Sequence, residues 1–169
     1  MNMTLIIIET LVLLVLFTAG ALAESRDPIK IVYDLPQPII DRCYELGLIN
    51  KTKKLDSKET KIKKLAAALV IAVILALIMY FLNGAKTFLQ ASLVSYGIWL
   101  VINWFDCLVI DWGWACHSKK IIIPGTEDIA AAYKDYAFHF KGALIGTVIG
   151  LPVCALVGLL VQVIAAIAK

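Results

Sequence analysis

Apolar positions in this chain fall into four long runs separated by stretches where nearly all the charge collects. Residues 3–23, 65–82, 87–112 and 142–168 each hold enough consecutive apolar side chains to cross a bilayer as a helix, at about 20 residues per crossing. The pattern therefore predicts an all-α, polytopic membrane protein: a bundle of four transmembrane helices forming a single membrane domain over 1–169, with polar connections at 24–64 and 113–141. Only Ala85 and Lys86 follow the Asn83-Gly84 stop before the third run, so the second and third helices are expected to form an antiparallel hairpin. Within the first connection, Ile39, Ile40, Cys43 and Leu46 recur at helical spacing and Gly47 follows as a C-terminal cap. A short amphipathic helix is expected there, at the membrane surface or under the bundle. Asp56 and Glu59 read as a capping pair that starts the second helix near Ser57, and Glu127 to Phe140 reads as a second short interfacial helix.

Composition agrees with this reading. The 169 residues are 61% hydrophobic and 17% charged, with mean hydropathy +0.86, whereas soluble domains carry about a quarter charged residues. The apolar run at the start ends in Ala-Leu-Ala, as a cleavable signal would. Its first residues carry no positive charge, however, and Glu9 interrupts it, so it is expected to stay as an anchor.

Charge distribution sets orientation. Ten of the sixteen Lys and Arg residues lie in the first connection, four lie from Lys119 to Lys141, and Lys86 and Lys169 make up the rest. Positive residues concentrate on the cytoplasmic side, so both long connections are placed in the cytoplasm and both termini outside, with the plasma membrane as the expected location. The same lysines read as topology signals and headgroup contacts; with few interleaved aromatics they give no support for nucleic-acid binding. Cys43, Cys107, Cys116 and Cys154 make no Cys-x-x-Cys pair and read as reduced structural thiols.

Candidate chemistry lies on the polar positions of the third run. Ser92, Tyr96, Trp99, Asn103 and Asp106 alternate by four and three residues, which puts them on one helical face. At about 1.5 Å per residue, Glu9 sits roughly 9 Å below the outer surface, level with Ser92, Ser95, Tyr96 and Gln162. No Lys or Arg shares that depth, so Glu9 is expected either to be neutral or to be hydrogen-bonded inward. Asp111, five residues after Asp106, is expected to point elsewhere on an α-helix. Near the inner edge collect Asp106, Asp111, Cys116, His117, Glu127, Asp128, Asp135 and His139, including both histidines of the chain.

Histidine beside carboxylates supplies acid–base groups near neutral pH. The leading expectation is a cytoplasm-facing interfacial site acting on or binding a lipid or other lipophilic molecule. Asp106, Asp111, His117 and His139 would be the catalytic candidates, and Glu9, Tyr96, Asn103 and Glu127 ligand-binding or pathway positions. No His-Glu-x-x-His or paired-His spacing specifies a metal, and no cofactor is specified, so whether the site is enzymatic stays open. Two alternatives stand beside it: an oligomeric transporter or ion pathway along Glu9, Tyr96, Asn103 and Asp106, and a structural or accessory subunit of a membrane complex. Gly142, Gly146, Gly150 and Gly158 form a small-residue ridge suited to a close helix partner, a second copy of the chain or another membrane protein. The aromatic residues Trp104, Trp112, Trp114, Tyr133 and Tyr136 read more simply as an interfacial belt than as a substrate cage.

Overall fold

A computed structural model describes residues 1–50 and 58–168, with the side chains of 58–61, 64 and 67 left out. The expected Asp56–Glu59 capping pair, the helix start near Ser57 and the head of the lysine run at Lys51 lie outside the described residues. What is described is all-helical, with no strand. The α-helices are α1 (Met3–Glu24), α2 (Gln37–Glu45), α3 (Lys58–Leu77), α4 (Phe88–Phe105) and α5 (Tyr136–Ile167). Two of them continue with wider winding: α3 into a π-helical turn at Ile78–Leu82, and α4 into a nine-residue π-helical segment at Asp106–Trp114, closed by a tight 3-10 turn at Ala115–His117. Further 3-10 segments lie at Pro28–Asp34 and Glu127–Lys134.

Three helices among the described residues are long and apolar enough to cross a membrane: Met3–Glu24, Phe88–His117 and Tyr136–Ile167. The second apolar run appears as the shorter helix Ala68–Leu82. The last helix starts at Tyr136 rather than near 142 because Asp135 caps it, its Oδ1 accepting the backbone N–H of Phe138 at 2.9 Å. The expected helix from Glu127 to Phe140 is thus broken at Asp135 into a 3-10 segment and the first turn of α5.

The chain divides into two compact units. The first comprises residues 1–13, 55–103 and 145–169. Its core is small side chains from three helices: Ala72, Ala76 and Met79 from the α3 stretch, Ala91 from α4, and Val157, Val161 and Ala165 from α5. Small residues let apolar helices approach closely where lipid offers no hydrophobic drive for association. α4 and α5 run antiparallel here. Phe88 N–H donates to Gln162 Oε1 at 3.0 Å, Ser92 lies against Gly158, Trp99 against Gly150, and Asn103 against Gly146. A Cβ at any of these three glycines would collide with the facing side chain. Gly142 has nothing within 4 Å of where its Cβ would be.

The second unit comprises residues 14–54 and 104–144. α2 turns its apolar face inward: Ile39 and Cys43 are fully buried with Val32, Leu35, Ile121, Ile123 and Tyr133. Gly47 ends α2 at φ +71°, a left-handed conformation that costs glycine nothing. The Gly47 and Leu48 amides donate to the Tyr44 and Cys43 carbonyls, satisfying groups the helix end would leave open. The loop at 121–133 is knotted by polar bonds. Tyr133 Oη accepts the Ile123 N–H at 3.1 Å and shares a 2.8 Å bond with Thr126 Oγ1, which donates to the Ile123 carbonyl.

Candidate functional site

Asp106 and Asp111 both lie on the π-helical segment Asp106–Trp114. In an α-helix, residues five apart are rotated by about 140°. Where hydrogen bonds run from i to i+5, a turn takes between four and five residues, and the same pair is separated by only roughly 50°. The expectation that Asp111 points away from Asp106 therefore fails for a physical reason: the winding is wider there. Asp106, Asp111 and Cys116 follow at intervals of five, and the Asp106 carboxyl is within electrostatic reach of both Asp111 and His139.

Asp111 finds its partner on α5. Its Oδ2 lies 2.9 Å from Nδ1 of His139, and the two side chains keep 25% and 12% of their accessible surface. With the Asp135 cap starting α5, His139 falls on the first turns of that helix, facing the π segment. An Nδ1–H donated to the carboxylate leaves Nε2 as the acceptor nitrogen, so Asp111 fixes both ring orientation and tautomer. A second contact lies one turn nearer the start of α5. Trp112 Nε1–H donates to the Tyr136 carbonyl at 3.1 Å, His117 Nδ1 bonds the Trp112 carbonyl at 2.9 Å, and His117 Nε2 is 3.4 Å from Tyr136 Oη. Trp112 packs edge-on to Tyr136, and Phe140 lies beside Trp112 and Trp104.

The remaining candidates are engaged elsewhere. Glu127 Oε2 accepts the Gly125 N–H at 2.8 Å and closes the Pro124-Gly125 turn; Asp128 pairs with Arg42 at 3.0 Å. In the first unit, Glu9 Oε2 accepts from Asn83 Nδ2 at 2.9 Å. Tyr96 Oη donates to the Thr147 carbonyl at 3.2 Å, Trp99 Nε1 to the Gly146 carbonyl at 2.9 Å, and Asn103 Nδ2 to Thr147 Oγ1 at 3.3 Å. The polar face of α4 is thus spent on α5.

Sequence reasoning missed Asn83 and Thr147. Asn83 is only 1% exposed. It reads in sequence as a helix stop, and its role as the partner of Glu9 had one signal: an amide closing a long apolar run on the same side of the bundle as a lone carboxylate. Thr147 looks like one more small residue of α5. All four cysteines are buried free thiols; at Cys43, burial in the second unit's core pushes the thiol up from its ordinary range. Among the described residues, no group of three or more His, Cys, Asp or Glu side chains is arranged to hold a metal ion.

No family model matches the chain, and no curated protein and no solved structure matches it either.

Proposed function

We propose that this chain is a small integral membrane protein that binds, and in the enzymatic case modifies, a lipid or other lipophilic molecule at an acid/His site at the inner end of its third span. One observation carries the reading: the 2.9 Å pair of Asp111 and His139, whose chain neighbours Trp112 and Phe140 pack ring to ring. Here His139 Nε2 exchanges a proton or hydrogen bond with a hydroxyl or acidic headgroup, Asp111 orients the ring, and Asp106 supplies a second carboxylate. His117 with Tyr136 forms the rim. Four spans, with Ala68–Leu82 as the core of the second, long connections in the cytoplasm and α2 lying near the inner surface complete the arrangement. Reporter fusions at residues 50, 85 and 125 test the topology: cytoplasmic signals at the first and last and an external one at 85 are expected.

The ligand test uses the full chain in phospholipid nanodiscs with a spin-labelled fatty acid and a spin-labelled phospholipid. Motional restriction of either probe that is lost in His139→Ala and in Asp111→Asn supports the reading. Equal restriction in all three proteins overturns it.

A second reading, a structural or accessory subunit, is favoured by the outer polar residues. Glu9, Tyr96 and Asn103 each hold bonds to Asn83 or Thr147, which is how polar groups act when their task is to join helices. The same bonds weigh against a conduit along Glu9, Tyr96, Asn103 and Asp106. A partner helix, or a second copy, would meet α5 at Gly142, because Gly146, Gly150 and Gly158 face the chain's own α4 side chains.

A further inference from the structure

A nine-residue π-helical run is long for a form that occurs mostly as single turns, often at functional sites. Local propensity does not explain it. Asp106–Trp114 contains β-branched Val109 and Ile110 and one glycine, Gly113, and a Cβ at Gly113 would meet only the Leu108 carbonyl at ordinary contact distance. The wide winding coincides with contacts from outside the segment. Two bonds tie it to the start of α5, Asp111 to His139 and Trp112 Nε1 to the Tyr136 carbonyl, and His117 in the turn that follows adds a third, from Nε2 to Tyr136 Oη. The Asp111 bond is the shortest of the three and the only one between an acid and a base, the kind worth roughly twice a neutral bond.

The end of the segment is also poised between two windings. The Ala115 amide donates both to the Ile110 carbonyl, its π-helical partner, and to the Asp111 carbonyl, its α-helical one. A bond shared in this way gives little preference for either register, so the outside contacts decide.

The geometry points to a register lock: the Asp111–His139 pair holds Asp106–Trp114 in π winding, and its loss lets the segment rewind toward α. Rewinding turns Asp111 about 90° further from Asp106 and carries Cys116 through roughly a third to half a turn relative to Cys107. In the locked form Cys107 is 1% and Cys116 3% exposed, so a thiol becomes the reporter of the register. Coupling to function rests on the lipid reading above: a ligand that takes the hydrogen bond of Asp111 or His139 would release the lock and separate the two carboxylates. The lock itself needs no ligand, and its test uses none.

The experiment is maleimide labelling of the full chain in phospholipid nanodiscs, mapped by mass spectrometry at all four native cysteines, with hydrogen exchange read on the peptide covering residues 108–118. The proteins are the wild type, Asp111→Asn, His139→Ala and the double variant. The lock predicts that either single change raises Cys116 labelling and exchange in that peptide by about tenfold or more, the effect of losing one charge-assisted bond. Cys43 and Cys154 should stay at wild-type rates, and the double variant should go no further than the singles. Wild-type behaviour at Cys116 and in 108–118 in both single variants overturns the proposal. So does an equal rise at all four cysteines, because the pair would then support the whole fold and not the register. Failure of spin-labelled lipid to bind would leave this result unaffected, so the two readings fail separately.

Discussion

Asp111 Oδ2 and His139 Nδ1 meet at 2.9 Å although 28 positions apart in sequence, and they do so because one lies on a π-wound segment and the other just past a capped helix start. Without the cap at Asp135, the position of His139 on the first turns of α5 would not be fixed; without the wide turn, Asp111 would face away from Asp106.

That dependence can be tested at the cap. Asp135→Ala removes the acceptor for the Phe138 amide and should lower thermal stability by about 0.5–2 kcal/mol. It should also raise exchange at residues 136–139, measured by hydrogen-exchange mass spectrometry, while exchange at residues 155–165 stays unchanged.

The glycines of α5 should divide by what faces them. Gly146→Ala, Gly150→Ala and Gly158→Ala each drive a methyl group into Asn103, Trp99 or Ser92, and overpacking of this kind costs about 1–3 kcal/mol. Gly142→Ala meets nothing within 4 Å and should be neutral or slightly stabilising. Unfolding of the four variants in mixed micelles gives the comparison; a Gly142 variant as damaged as the other three would contradict it.

Glu9 and Asn83 should behave as a coupled pair. Interhelical hydrogen bonds in membranes are worth about 0.6 kcal/mol on average and reach about 1.7. Asn83 is buried, so the pair belongs toward the upper end. A double-mutant cycle of Glu9→Ala and Asn83→Ala should return a coupling energy above ~0.6 kcal/mol. Additive losses would mean that the bond contributes nothing.

The polar knot of the 121–133 loop gives a sharper cost. Tyr133→Phe leaves the Ile123 N–H and the Thr126 hydroxyl short of a partner in a buried place, at about 1–3 kcal/mol. Replacing Tyr133 by Phe together with Thr126 by Val should recover part of that loss, which thermal unfolding of the single and double variants will show.

Cys43 supplies the pH prediction. Burial favours its neutral thiol, so its folded value lies above its unfolded one. The contribution to stability is therefore complete below the ordinary thiol range and is lost as pH rises toward the folded value. Cys43 should resist maleimide at neutral pH, and Cys43→Ala should show a weaker loss of stability on the alkaline side than the wild type.

Much of the fold was legible before any coordinates. Helix-length apolar runs fix the helical class and three membrane-length helices, because backbone groups in lipid must be satisfied within their own segment. Periodicity also marked the face of α4 that carries Ser92, Tyr96, Trp99 and Asn103, and the cap at Gly47. The candidate residues Asp106, Asp111, His117 and His139 could be named from sequence, since acids and histidines near a membrane edge stand out in so apolar a chain.

What the sequence could not decide was which of them meet. Spacing arguments assume 3.6 residues per turn, and no local pattern announces the π winding of Asp106–Trp114. For the same reason an inward hydrogen bond from Glu9 was one of two expectations, while Asn83, 74 positions away, could not be seen to be its partner. Local composition determined the helices and their polar faces; only tertiary packing, through bonds between residues distant in the chain, chose the pairs and the place where Asp111 and His139 meet.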